Sequence, residues 1–266
     1  MRKACSFFNS PNGCRNGNSC RFGHASVNIN ELPVVLSEMI EAYKDTRIDI
    51  TWPMKRTKEI TRDVEMVIKE ILILDNNESG RYFDLDIERQ EIIKANALTH
   101  GFTLFGACSL RRQFIRAITR NNSDTFFGER NMGSDTAAKE HANNFESALA
   151  MYLTEQNIQF LDENILYDMC CSNTPDFLLL GDIRINGASV RWIDCKTYYG
   201  SSELCNNPIL PIGKMRHQIT RYNNMYGPGA IVFLNGFSSD LNEVSNITNT
   251  LFLDSGPLIF DFTEAM

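Results

Sequence analysis

No stretch of this 266-residue chain approaches the roughly 20 consecutive apolar residues needed to cross a bilayer, and its opening, MRKACSFF, turns polar without the apolar core of a secretory leader. Membrane-spanning and secreted classes are therefore set aside, and residence inside the cell, in nucleus or cytoplasm, is expected. Internal repeats and low-complexity tracts are also missing, which excludes solenoids and compositionally biased linkers. Acid is missing locally: residues 1–24 hold Arg2, Lys3, Arg15 and Arg21 but no Asp or Glu. Against −7 for the whole chain, those four cations leave the remainder at −11. Such a balance does not coat nucleic acid by bulk attraction, so any phosphate contact has to be local.

Composition is otherwise that of a globular protein, 43% hydrophobic and 22% charged, and the length suits one core of roughly 100–200 residues with smaller additions. Three units are expected, at 1–28, 29–130 and 131–266. Eight cysteines in a reducing compartment read as thiols and metal ligands, not disulfides. Cys5, Cys14, Cys20 and His24 follow the spacing C-x8-C-x5-C-x3-H. A unit of about twenty residues cannot bury a core, whereas three thiolates and one imidazole complete the tetrahedral shell of a structural Zn²⁺. Gly13 and Gly17 flank the second ligand, where the chain must turn tightly around the metal. Residues 5–24 resemble the CCCH zinc-finger family, with Phe8 and Phe22 at the positions that family uses to stack on bases. The resemblance implies single-stranded RNA or DNA as ligand, with Arg15 and Arg21 available to phosphate, although some CCCH fingers contact only protein.

Residues 29–130 read as an all-α region. Asn30 can cap a helix through Leu32, Val35, Leu36, Met39, Ile40 and Tyr43, and after Trp52-Pro53 a second runs through Ile60, Val64, Val67, Ile68, Ile71 and Leu72. Two more are predicted around 86–99 and 109–120. In the latter, Leu110, Phe114 and Ile118 line one face while Arg112, Arg116 and Arg120 recur every four residues on another. That basic face suits either plain solvation or a phosphate backbone, and the short helices would also suit a helix-turn-helix arrangement. His100 and His141 show no partner and stay unassigned. Cys108, Cys170, Cys171 and Cys205 read as small buried residues, with a redox role open for the adjacent pair.

Beyond residue 131 the pattern changes to α/β. A helix is predicted from Ser134 or Asp135 to about Gln156, with Phe145 and Leu149 on its buried side and Glu146 at the edge. Thr174-Pro175-Asp176 leads into the apolar run Phe177–Leu180, as for a strand buried on both faces. Asn186-Gly187 is a hairpin signal, and Val190–Tyr198 reads as the returning strand. Strand alternation then puts Asp194 and Lys196 on one face with Cys195 on the other, close to Asp176. Phosphodiester hydrolysis needs a hard cation on the phosphate, an activated water and neutralisation of developing charge. Two aspartates can hold Mg²⁺ or Mn²⁺, and a lysine can orient the water. A further helix before Tyr226-Gly227 carries Lys214, Arg216, His217, Gln218 and Arg221, with Arg216 and Arg221 as candidate phosphate contacts.

The ordered set Glu146, Pro175-Asp176 and Asp194-Cys195-Lys196 resembles the PD-(D/E)XK nuclease signature. TPDFLLL, DCKTYYG and YGPGAIVF together are most similar to the TPD-motif family that includes the codanin-interacting nuclease, over roughly residues 30–260. That family has no zinc finger, so its partner does not transfer with its chemistry. The resemblance implies a restriction-endonuclease-like core of mixed sheet flanked by helices, the Cys195 carbonyl as a further Mg²⁺ ligand, and Gln218 as a supplementary catalytic residue. It also implies frequent dimerisation on duplexes. The expected function is a metal-dependent nuclease on nucleic acid, with structured DNA foremost. A nucleic-acid-binding adaptor without turnover and an RNA endonuclease remain the alternatives.

Overall fold

The computed structural model describes residues 32–55, 60–73, 85–121 and 132–259. The first part of the chain forms α1 (Val34–Ala42), β1 (Arg47–Ile50), α2 (Arg62–Leu72), α3 (Ile87–Thr99) and α4 (Leu104–Asn121). The helices bury part of the stripes that their apolar spacing marks out, with Leu36, Ile68, Leu72, Ile93, Leu110 and Phe114 in one core, while Val35 and Val67, expected on the same stripes, stand exposed. Helix α3 opens on the side chain of Asp86, which accepts from the Arg89 amide at 2.9 Å.

The all-α reading of this region fails at β1. Its four residues, RIDI, alternate charged and apolar side chains, and the strand pairs in parallel with Asp182–Ile185. So short an edge strand between helices carries too little periodicity to stand out, and its partner lies more than 130 residues away.

The second part supplies α5 (Met132–Glu155), β2 (Gln159–Asp162), α6 (Glu163–Asp168), β3 (Phe177–Leu180), β4 (Asp182–Ile185), β5 (Ala188–Ser189), β6 (Trp192–Lys196), α7 (Pro211–Tyr226), β7 (Gly229–Phe233), α8 (Leu241–Ser245) and β8 (Thr250–Asp254). Five of the strands make a mixed sheet in the order β2-β3-β6-β7-β8, antiparallel as far as β6 and parallel from β6 to β8. Strands β3 and β7 are buried along their whole length because helices cover both faces. On one face Leu178, Trp192, Ile231, Phe233 and Phe252 join Ile212, Met215, Ile219 and Tyr222 of α7, in the same core as the early helices. On the other, Phe177, Leu179, Ile193, Ala230 and Val232 meet Phe145, Leu149 and Leu153 of α5.

The hairpin differs from expectation in its path. β3 and β6 do pair antiparallel, Phe177 opposite Ile193 and Leu178 opposite Trp192, but no direct turn joins them. The chain bends at Gly181 (φ 106°), where a Cβ would stand 2.7 Å from the Thr46 carbonyl oxygen, and runs on into β4 and β5. Asn186 and Gly187 form the tip with φ of 51° and 83°, the two positive values of a type I′ turn. One bent hairpin thus feeds two sheets, the second being β1-β4-β5. Trp52 fastens the chain after β1 to both regions: its amide donates to Asn186 Oδ1 at 2.8 Å and its indole to the Asp254 carbonyl at 2.9 Å. Among the described residues no helix is long and apolar enough to cross a membrane.

Candidate active site

The bent hairpin brings the acidic residues together. Asp176 precedes β3, while Asp194 and Lys196 alternate with the inward-facing Ile193 and Cys195 on central β6, next to Trp192 on the α7 side. Asp194 is only 2% exposed. Its Oδ2 faces the Lys196 ammonium, and its Oδ1 accepts from Gln218 Nε2 of α7 at 3.3 Å. Gln218 also donates to the Tyr222 hydroxyl at 2.9 Å, which donates in turn to the Thr174 carbonyl at 3.0 Å. This chain of bonds locks α7 to the loop that delivers Asp176. Asp176 Oδ2 accepts from the Cys195 amide at 2.6 Å, so the two aspartates are held by neighbouring strands.

Electrostatics define the site's appetite. Burial, then the charge of Asp194, pushes Asp176 well above the usual carboxylate range, against the pull of the Cys195 amide and Lys196. Glu146 on α5 is raised by burial, by Glu163 and by Asp194. Burial works against the charge of Lys196, but Asp194 foremost among its neighbours more than offsets this and the lysine stays protonated above its ordinary value. Burial and the same carboxylates push the Cys195 thiol up, which makes it a poor nucleophile and leaves its backbone as the useful group. Three carboxylates and one ammonium lie within one another's field, with Asp194 buried and Asp176 and Glu146 half-buried, an excess of carboxylate over ammonium that suits a cation.

Among the described residues no group of three or more His, Cys, Asp and Glu forms a ready metal shell. The buried Asp194, the half-buried Asp176 and the Cys195 carbonyl are nonetheless hard oxygen donors, which suits an ion that fills its remaining positions with water or phosphate. Two more residues border the cluster. Glu163, in the first turn of α6, accepts from Thr174 Oγ1 at 3.2 Å and presses on Glu146. Tyr198, raised by burial, sits within the field of Lys196 and Asp194. Tyr222 stands one turn from Gln218 on α7.

Other candidates do not join the site. Arg112 and Arg116 are exposed on α4, where Arg112 adds to the burial that lowers His141. Arg120 belongs to α4, but its side chain lies outside the described residues. So do Cys5, Cys14, Cys20, His24, Phe8, Arg15, Arg21 and Phe22. His100 bonds the Asn96 carbonyl through Nδ1 at 2.8 Å, at the end of α3. Of the other cysteines, Cys205 is buried and Cys108 and Cys171 partly so, but Cys170 is exposed at a turn with φ 62°.

A model of the family described as "protein of unknown function TPD sequence-motif" matches residues 114–255, which include all five candidate catalytic residues. The chain is 34% identical over 97 residues to "CDAN1-interacting nuclease 1" of Danio rerio, covering 36% of this chain and 30% of that protein. The Homo sapiens protein of the same name is 31% identical over 97 residues, 36% of this chain and 32% of its own length. "Uncharacterized protein L539" of Acanthamoeba polyphaga mimivirus is 34% identical over 119 residues, 43% of this chain and 40% of that one. The aligned stretch thus spans about a third of the length of the nuclease-named relatives. No solved structure matches the chain.

Proposed function

Because the chain belongs to the TPD sequence-motif family, we propose that it is a metal-dependent nuclease that hydrolyses phosphodiester bonds in nucleic acid, structured DNA foremost. The observation that carries this reading is the meeting of Asp176 and Asp194 beside Lys196 and Gln218. A mixed sheet with α5 on one face and α7 on the other supports a restriction-endonuclease-like core, and the nuclease names of the relatives agree with it.

Asp176, Asp194 and the Cys195 carbonyl would hold Mg²⁺ or Mn²⁺. Such an ion supplies Lewis acidity toward the scissile phosphate and lowers the pKa of a bound water. Lys196 orients the attacking water and meets the negative charge that builds on the phosphate. Gln218 keeps the Asp194 carboxylate turned toward the site, and Glu146 adds charge that draws the cation in. Zinc on Cys5, Cys14, Cys20 and His24, with Phe8, Phe22, Arg15 and Arg21, would grip a single strand. Arg112, Arg116 and Arg120 would add phosphate contacts. The organisation into units 1–28, 29–130 and 131–266, and action as a homodimer on duplexes, belong to the same reading.

The test is cleavage of labelled single-stranded, duplex, flap and four-way-junction DNA and of matching RNA, with Mg²⁺, Mn²⁺ or EDTA, for wild type beside Lys196→Ala. Metal-dependent products that the variant fails to make are expected. Binding without cleavage on every substrate would replace the enzyme with an adaptor.

A further inference from the structure

We propose that one flank of α7, the one bearing Lys214 and Arg221, is the track on which phosphates of the nucleic-acid strand lie beside the site, and that Arg216 on the opposite flank takes no part. The inference rests on the nuclease reading above and deepens it by naming which surface holds the substrate.

Helix α7 sits in a local charge anomaly. From Leu204 to Ser239 the chain has no Asp or Glu, although it carries 33 acids overall and is net negative. Lys214, Arg216, His217 and Arg221 are exposed, and none is engaged in an ion pair with another described residue. Cations on a solvated face are commonly balanced by acids one turn away, and here no acid is available on the helix.

The two flanks of α7 are fixed by their contacts. Gln218 reaches Asp194, and Met225 meets Asn173 Nδ2 at 3.5 Å, so this flank borders the catalytic cluster and the loop that delivers Asp176. Asn223 donates to the Thr248 carbonyl at 3.2 Å and Thr250 Oγ1 at 3.1 Å, so the other flank borders β8 at the sheet's edge. At about 100° per residue, Lys214 and Arg221 fall about 40° and 60° to the solvent side of Gln218, while Arg216 falls about 160° away, beside Asn223. Lys214 and Arg221 are separated by about 10 Å along the helix axis, the rise of about three nucleotides of one strand. Gln218, at the catalytic carboxylate, lies between them. Their head groups can therefore meet phosphates on either side of the scissile one, which positions the strand without reading its sequence.

The experiment measures binding of labelled DNA and RNA oligonucleotides without divalent metal, and steady-state cleavage with Mg²⁺, across a salt series. It compares the full chain with the Lys214→Ala/Arg221→Ala double variant, Arg216→Ala, and the charge-keeping Lys214→Arg/Arg221→Lys pair. Binding by the double variant is expected to weaken about tenfold near 0.15 M salt, and its slope of log K against log salt to flatten by about 1 to 2. KM should rise while kcat changes less than about twofold. The charge-keeping pair should recover most of the loss, and Arg216→Ala should match wild type. A double variant indistinguishable from wild type, or an Arg216→Ala as weak as the double variant, would overturn the track. A wild type that binds with this pattern but cleaves nothing keeps the track and removes the nuclease. A wild type that neither binds nor cleaves removes both.

Discussion

Among the described residues, the carboxylates of Glu65 and of the Asp176–Asp194 pair are treated in opposite ways. Glu65 of α2, fully buried, accepts from Ser201 Oγ at 2.7 Å, the Ser202 amide at 3.2 Å, the Glu203 amide at 2.9 Å and the Ser238 hydroxyl. Four donors meet the roughly four acceptor positions of a carboxylate, so the group is complete within the protein. Asp176 and Asp194 have between them the Cys195 amide, Gln218 and Lys196, and they face each other and Glu146. A carboxylate ringed by hydroxyls and amides ties segments together, and here it ties α2 to the loops after β6 and β7. Carboxylates that face one another keep acceptor capacity in reserve, which under the proposed function a cation from outside would take up.

The difference is tested most severely at the proposed catalytic pair, Asp176 and Asp194. Asp176→Asn keeps an acceptor for the Cys195 amide but removes the repulsion with Asp194 and Glu146. Cleavage is expected to fall by about 10³-fold or more, while the thermal midpoint in metal-free buffer stays level or rises. A midpoint several degrees lower would mean that this carboxylate, too, is structural. The reverse holds for Glu65→Ala, which strands four buried donors. It should cost about 3 kcal/mol in urea unfolding, with activity per folded molecule changed less than about tenfold. Next in size is the response to Mg²⁺, which stabilises only what it binds in the folded state. At 100 times its Kd it should add about 2.7 kcal/mol to wild type and far less to Asp176→Asn. The smallest effect is a pH gradient. Burial holds Glu65 above its ordinary value of 4.5, so the folded state binds this proton more readily than the unfolded chain does. Its stabilising contribution is fully present below that value and fades as pH rises through the elevated one. The difference in midpoint between wild type and Glu65→Gln should therefore shift in favour of the variant from pH 4.5 to pH 7.

How much of this was legible in the sequence follows physical lines. Strand β3 announces itself because a strand covered on both faces demands an apolar run, β6 reads as the strand returning from Asn186-Gly187, and Asp194 and Lys196 follow from strand alternation alone. The antiparallel pairing of β3 and β6 was readable from Asn186-Gly187, but the bend at Gly181 was not, since it answers to the Thr46 carbonyl far away in the chain. Strands β1 and β2 are four residues each, too short for a period to emerge. Glu65 was hidden for a different reason. It occupies an ordinary position in an amphipathic helix, and its partners Ser201, Ser202 and Ser238 become neighbours only through tertiary packing. The Asp176–Asp194 cluster could be anticipated because its chemistry demands an ordered motif, whereas a structural carboxylate needs only donors, which any loop can supply.

The indole N–H of Trp52 donates a hydrogen bond to the carbonyl of Asp254, 202 residues further on. A ribosome adding about 5–20 residues per second takes roughly 10–40 s to cover that interval. During that time the early helices emerge without the strand that closes over Trp52, and β1 waits in the same way for β4. Nascent chains of this protein therefore spend tens of seconds with an unpaired strand edge and an open apolar core, a window in which chaperone capture competes with assembly.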